Sequence, residues 1–92
     1  MANLARGEVE LVCGEKRLVL CLTLGALAEI EAALGGEVSG AMSRVKASDL
    51  AAILRALLKG GGEVEAARDV AALPLNPGDV ARAIAAAFAA AA

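Results

Sequence analysis

Residues 7–22 read GEVELVCGEKRLVLCL. Apolar and polar side chains alternate with period two on either side of Gly14-Glu15, and both arms are rich in Val and Leu, the pattern of two β-strands. A two-residue Gly-X connection suits a type II′ turn. That loop length sets the register, with Cys13 facing Lys16, Val12 facing Arg17, Leu11 facing Leu18 and Val9 facing Leu20. One face then gathers Val9, Leu11, Leu18 and Leu20. The other carries Glu8, Glu10, Val12, Arg17, Val19 and Cys21. A slip by one residue would turn Leu18 and Leu20 toward the glutamates, so the register is strongly specified. The hairpin therefore presents one apolar face, which the rest of the chain has to cover.

Helical patterns follow at once. Thr23 is placed to cap a helix over residues 23–34, with Leu24, Leu27, Ile30 and Leu34 on one side and Gly35-Gly36 as the stop. Residues 39–46 suggest a short, weaker helix. Ser48 and Asp49 read as the N-terminal cap of a better one over 48–59. There Leu50, Ile53, Leu54, Leu57 and Leu58 fall at i, i+3, i+4, i+7 and i+8, the fullest amphipathic match in the chain. Gly60-Gly61-Gly62 ends it and reads as a flexible joint. A helical turn is expected over 66–73, ended by Pro74. Asn76-Pro77-Gly78-Asp79 combines a capping Asn, a proline at the first helical position and an acid at the third, opening a last helix over 77–90. The expectation is a single small α+β domain spanning residues 1–92, an N-terminal β-hairpin packed on a small bundle of four to five short helices.

Composition narrows the function. The 92 residues include 24 Ala, 14 Leu, 8 Val and 3 Ile but one Phe, no Trp, no Tyr and no His. Aromatic side chains, which bury the most area each, are almost missing, and alanine crowds residues 81–92. Nine Lys and Arg against 11 Asp and Glu give a net charge of −2. The one adjacent basic pair is Lys16 and Arg17. Direct nucleic-acid binding and attachment to an anionic membrane are therefore not expected. The uncharged runs at residues 18–28 and 83–92 are both too short to span a bilayer, which needs about 20 apolar residues. The chain reads as cytoplasmic.

No catalytic constellation emerges. An activated Ser or Cys needs a base, and without His no Ser-x-x-Lys spacing supplies one. Glu29 and Glu31 diverge by about 200° on a helix and form no carboxylate pair. Cys13 and Cys21 lie on opposite faces of the hairpin, roughly 16 Å apart along the strand at 3.3 Å per residue, too far for a disulfide. No second Cys pair completes a zinc site. The reading is of a non-enzyme with no cofactor and no metal. Val80, Ile84 and Phe88 recur at intervals of four along the last helix. That stripe either closes the core or docks into a partner or a sister subunit.

Arg6-Gly7-Glu8, the hairpin, and residues 22–35 (LTLGALAEIEAALG) resemble small proteins encoded among the tail genes of gene transfer agents and related tailed phages, described as tail tube or tail assembly chaperone proteins. Residues 69–75 (DVAALPL), after the glycine-rich break, are also similar to that family. The resemblance covers most of residues 5–75. It implies a tail assembly chaperone that binds the tape-measure protein during tail morphogenesis of a gene transfer agent or prophage. Association with phage-like particles, contact with other tail proteins, and a homo-oligomer are compatible with it. Leu73 and Leu75, with Val80, Ile84 and Phe88, are the expected partner-binding residues. Two alternatives stand beside the chaperone: a structural tail tube or tail completion subunit, and an unrelated regulatory protein-binding module. One hairpin is a small sheet for a stacked ring, which leans the sequence away from a tube subunit.

Overall fold

The computed structural model describes residues 6–35 and 46–91. Two strands, β1 (Glu8–Cys13) and β2 (Lys16–Cys21), form an antiparallel hairpin in the expected register, with Val9 opposite Leu20 and Leu11 opposite Leu18. Gly14 has φ +62° and Glu15 does not share that positive φ. The type II′ form requires this combination, whereas type I′ would need both residues left-handed. Val9, Leu11, Cys13, Leu18 and Leu20 are all buried, which makes the inward face apolar except for Lys16 beside the turn.

Among the described residues four α-helices follow, α1 (Leu24–Leu34), α2 (Ala47–Gly60), α3 (Val64–Arg68) and α4 (Pro77–Ala91), and of these α2 and α4 cover that face. A 3₁₀ turn, Val70–Ala72, follows α3. The molecule is the expected α+β fold of a hairpin on a helical bundle. Helix α2 runs beneath β2, and α4 lies beneath β1 and against α2. Leu20, Ile30, Ile53, Leu57, Leu58 and Ile84 are enclosed almost completely and draw together β2, α1, α2 and α4.

Both helix starts flanking the loops use local chemistry. The Thr23 hydroxyl accepts the Ala26 N–H at 3.1 Å, and Gly35 takes φ +77° at the other end of α1. The Asn76 carboxamide oxygen accepts the Gly78 N–H at 2.7 Å, while Pro77 occupies the first position of α4, where a missing N–H costs nothing.

Four expectations need correction. Leu24 is 84% exposed, and the buried side of α1 is carried by Ala26 and Ile30, with Leu34 packed at the edge. Helix α1 packs on α2, and the small Ala26 is buried while Leu24, at the first helical position, stays in solvent. Second, α2 begins one residue earlier than expected. Asp49 is its third residue, and its carboxylate accepts the Lys46 N–H at 3.1 Å. Third, α3 starts at Val64 and breaks at Asp69, which has φ −135° and ψ 54°, so residues 66–73 are not one turn. Fourth, the triple glycine is not a joint. Glu63 N–H donates to Leu58 C=O at 2.8 Å and Gly62 N–H to Lys59 C=O at 3.1 Å, with Gly62 at φ +84°, the paired bonds of a Schellman closure. Gly60 and Gly61 lie directly on the β2 backbone, where a Cβ would overlap the carbonyl oxygens of Cys21 and Val19. The expected helix over 39–46 falls outside the described residues apart from Lys46, which is extended at the cap of α2.

Candidate docking surface

Beyond α3 the chain cannot remain helical, because Pro74 offers no N–H. Leu73 is extended, and Leu75 N–H turns back to Leu73 C=O at 2.8 Å. This i to i+2 turn holds Leu73 and Leu75 half-buried against the core instead of releasing them to solvent. Leu73 and Leu75 share a cleft with the first turns of α2 and α4.

Two clefts open on either side of it. The first, of about 140 Å³, is lined mainly by Leu50, Leu54, Val70, Leu73, Leu75 and Val80, with Pro77 at its edge. The second, of about 320 Å³, has Cys13 and Leu18 at its floor and Lys16, Glu63, Glu65 and Asp69 around it. Leu73 lines both. The acidic groups of the second cleft have distinct surroundings. One Glu63 carboxylate oxygen accepts the Val19 N–H at 2.8 Å. Glu65 lies 3.5 Å from the exposed Arg68 guanidinium. Asp69 is exposed. Three carboxylates and one ammonium, that of Lys16, thus line this cleft, and Arg68 offsets Glu65 from outside it.

The structure brings together Leu73, Leu75 and Val80 among the residues expected to meet a partner. Ile84 is entirely enclosed in the chain's own core, and Phe88 packs half-buried beside it. Neither lines the first cleft. Leu50 and Leu54 face the cleft from α2, although their spacing marks only a buried helix side. Nothing local in the sequence joins residue 50 to residue 75. Glu63 was likewise hidden, since an acid after three glycines carries no sign of a strand amide as its partner.

The described residues contain no group of three or more His, Cys, Asp or Glu placed to hold a metal ion. Both cysteines are free thiols, Cys13 buried and Cys21 half-buried. Among the described residues no helix is long and apolar enough to cross a membrane. What the surface offers is shape, apolar area and modest negative charge, the means of protein recognition.

A family model described as "Phage tail tube protein, GTA-gp10" matches residues 6–92. No curated protein and no solved structure gives a significant match.

Proposed function

The chain belongs to the family of phage tail tube proteins described as GTA-gp10, and on that premise we propose that it serves as a structural subunit of a phage-like tail tube. The family match carries this reading, because it runs through the hairpin and all four helices to the end of the chain. The role is one of packing: other tail proteins and further copies of the chain are the partners, and no catalysis is involved. Leu73 and Leu75, half-exposed at the clefts, are the partner-facing residues, with Phe88 a flanking contact.

A second reading, the tail assembly chaperone that holds the tape-measure protein, is favoured by one observation. Among the described residues the sheet has two strands, and the outer edge of β2 is closed by Gly60, Gly61 and the Glu63 carboxylate. Subunits that join head to tail by continuing a sheet need two open edges. A tube built from this chain would have to close its ring through helical faces.

Quantitative mass spectrometry of purified particles separates the two. A tube subunit is abundant there, in a fixed ratio to the other repeating tail proteins. Presence in the producing cells with absence from the particles would overturn the tube reading and leave the chaperone.

A further inference from the structure

We propose that the two clefts flanking Leu73 act as one groove for an amphipathic segment of another protein, with aliphatic side chains along one side and Lys or Arg along the other. The inference deepens the protein-docking role proposed above and does not depend on whether that role is exercised as tube subunit or chaperone.

Three observations support it. The clefts are neighbours, with Leu73 lining both. Their linings differ in kind. Leu50, Leu54 and Leu75 give the first an aliphatic floor, on which a leucine-sized side chain gains dispersion contacts that a leucine-lined space otherwise forfeits. The second is rimmed by Glu63, Glu65 and Asp69, with Lys16 the one cation of its lining and Arg68 paired to Glu65 from outside it. An occupant has to match both, apolar against the first and cationic against the second. The carboxylates are not committed to the fold in equal measure. Glu63 holds the Val19 N–H, whereas Glu65 and Asp69 are exposed, and Glu65 makes only a solvent-exposed pair with Arg68.

A second copy of the chain is a poorer occupant. Among the described residues its most exposed aliphatic side chain, Leu24, sits on a helix with two glutamates and no basic residue. Val12 is also exposed, but its cross-strand neighbour Arg17 is engaged with Glu10 at 3.7 Å.

The test is a nuclear magnetic resonance titration of the isotopically labelled full chain with two synthetic amphipathic peptides of identical leucine spacing, one with Lys and one with Glu at the polar positions. The Leu/Lys peptide is expected to shift the amides of Ala51, Leu54, Asp69 and Leu73 and to bind about three- to tenfold more tightly than the Leu/Glu peptide. The double variant Glu65→Lys, Asp69→Lys changes exposed positions, and its remaining spectrum reports whether the fold is retained. It is expected to reverse the preference. The proposal is overturned by equal affinity for the two peptides, by no binding, by an unchanged preference in the folded double variant, or by shifts centred on the hairpin edge. Concentration-dependent shifts of the groove without peptide would overturn it in favour of a second copy. The particle inventory described above is independent of all these outcomes.

Discussion

At Gly61 a single methyl group decides whether α2 reaches the hairpin. Its φ of −86° is ordinary for any residue, so the glycine is required by space alone, because a Cβ would overlap the Val19 carbonyl oxygen. Gly61→Ala should force the α2 end off β2 at a cost of about 1–3 kcal/mol, read as a lowered urea midpoint. Gly25 provides the control. It lies in the first turn of α1, and its Cβ would meet only the Thr23 hydroxyl at 3.9 Å. There the same change to alanine should stabilise the chain by about 0.4–1 kcal/mol through the unfolded state and helix propensity. Equal effects at the two positions would refute the packing argument. Glu63 acts at the same corner by a different means. Its Oε2 satisfies an outward strand N–H that no backbone partner can reach. Glu63→Ala should cost about 1–3 kcal/mol and accelerate exchange of the Val19 amide, whereas Glu63→Gln keeps an acceptor and should lose less.

Among the elements, local signals proved legible and tertiary ones did not. The hairpin register follows from loop length and period-two patterning, both properties of neighbouring residues, and the structure matches it pair for pair. The Thr23 and Asn76 caps are equally local, and Thr23→Ala should weaken α1 by about 1 kcal/mol in thermal or urea unfolding. Helix α1 shows the limit. A projection weighted by side-chain size favours Leu24, yet close approach of α1 to α2 selects Ala26 and leaves Leu24 in solvent. The glycine run shows it again, since composition suggests freedom while the β2 backbone supplies contact. The candidate surface was half legible. Residues 73–77 announce a non-helical strap through two prolines, but the Leu50 and Leu54 wall belongs to another helix and is visible only after folding. The stripe of α4 resolves in the same terms. Ile84 is fully enclosed between the hairpin and α2, so Ile84→Ala should cost about 2–5 kcal/mol, well above Phe88→Ala at the half-buried edge. A stripe residue that destabilises this strongly cannot also serve as a free anchor for a partner.

For the whole molecule, the two edges of the hairpin are unequal. Residues flanking a two-residue loop exchange both hydrogen bonds, so the Cys13–Lys16, Leu11–Leu18 and Val9–Leu20 pairs point their backbone groups inward. The outward groups on β2 belong to Arg17, Val19 and Cys21. Those of Val19 and Cys21 meet Glu63 and the end of α2. On β1 the outward groups of Glu10 and Val12 lie on exposed residues, with Val12 itself 61% exposed. Amide exchange should record the difference directly. Val19 should be protected, while Glu10 and Val12, at the same depth in the hairpin, should exchange far faster, because a solvent-facing edge N–H needs no unfolding to exchange. Val12→Pro removes only an outward N–H on an edge strand, where proline is tolerated, and should cost less than about 1 kcal/mol. Proline at Val19, which would delete the bond to Glu63 and meet the α2 end, should cost several times more. If both substitutions proved equally harmful, β2 would not be the closed side of the sheet, and a tail tube joined by sheet continuation would regain the second edge it requires.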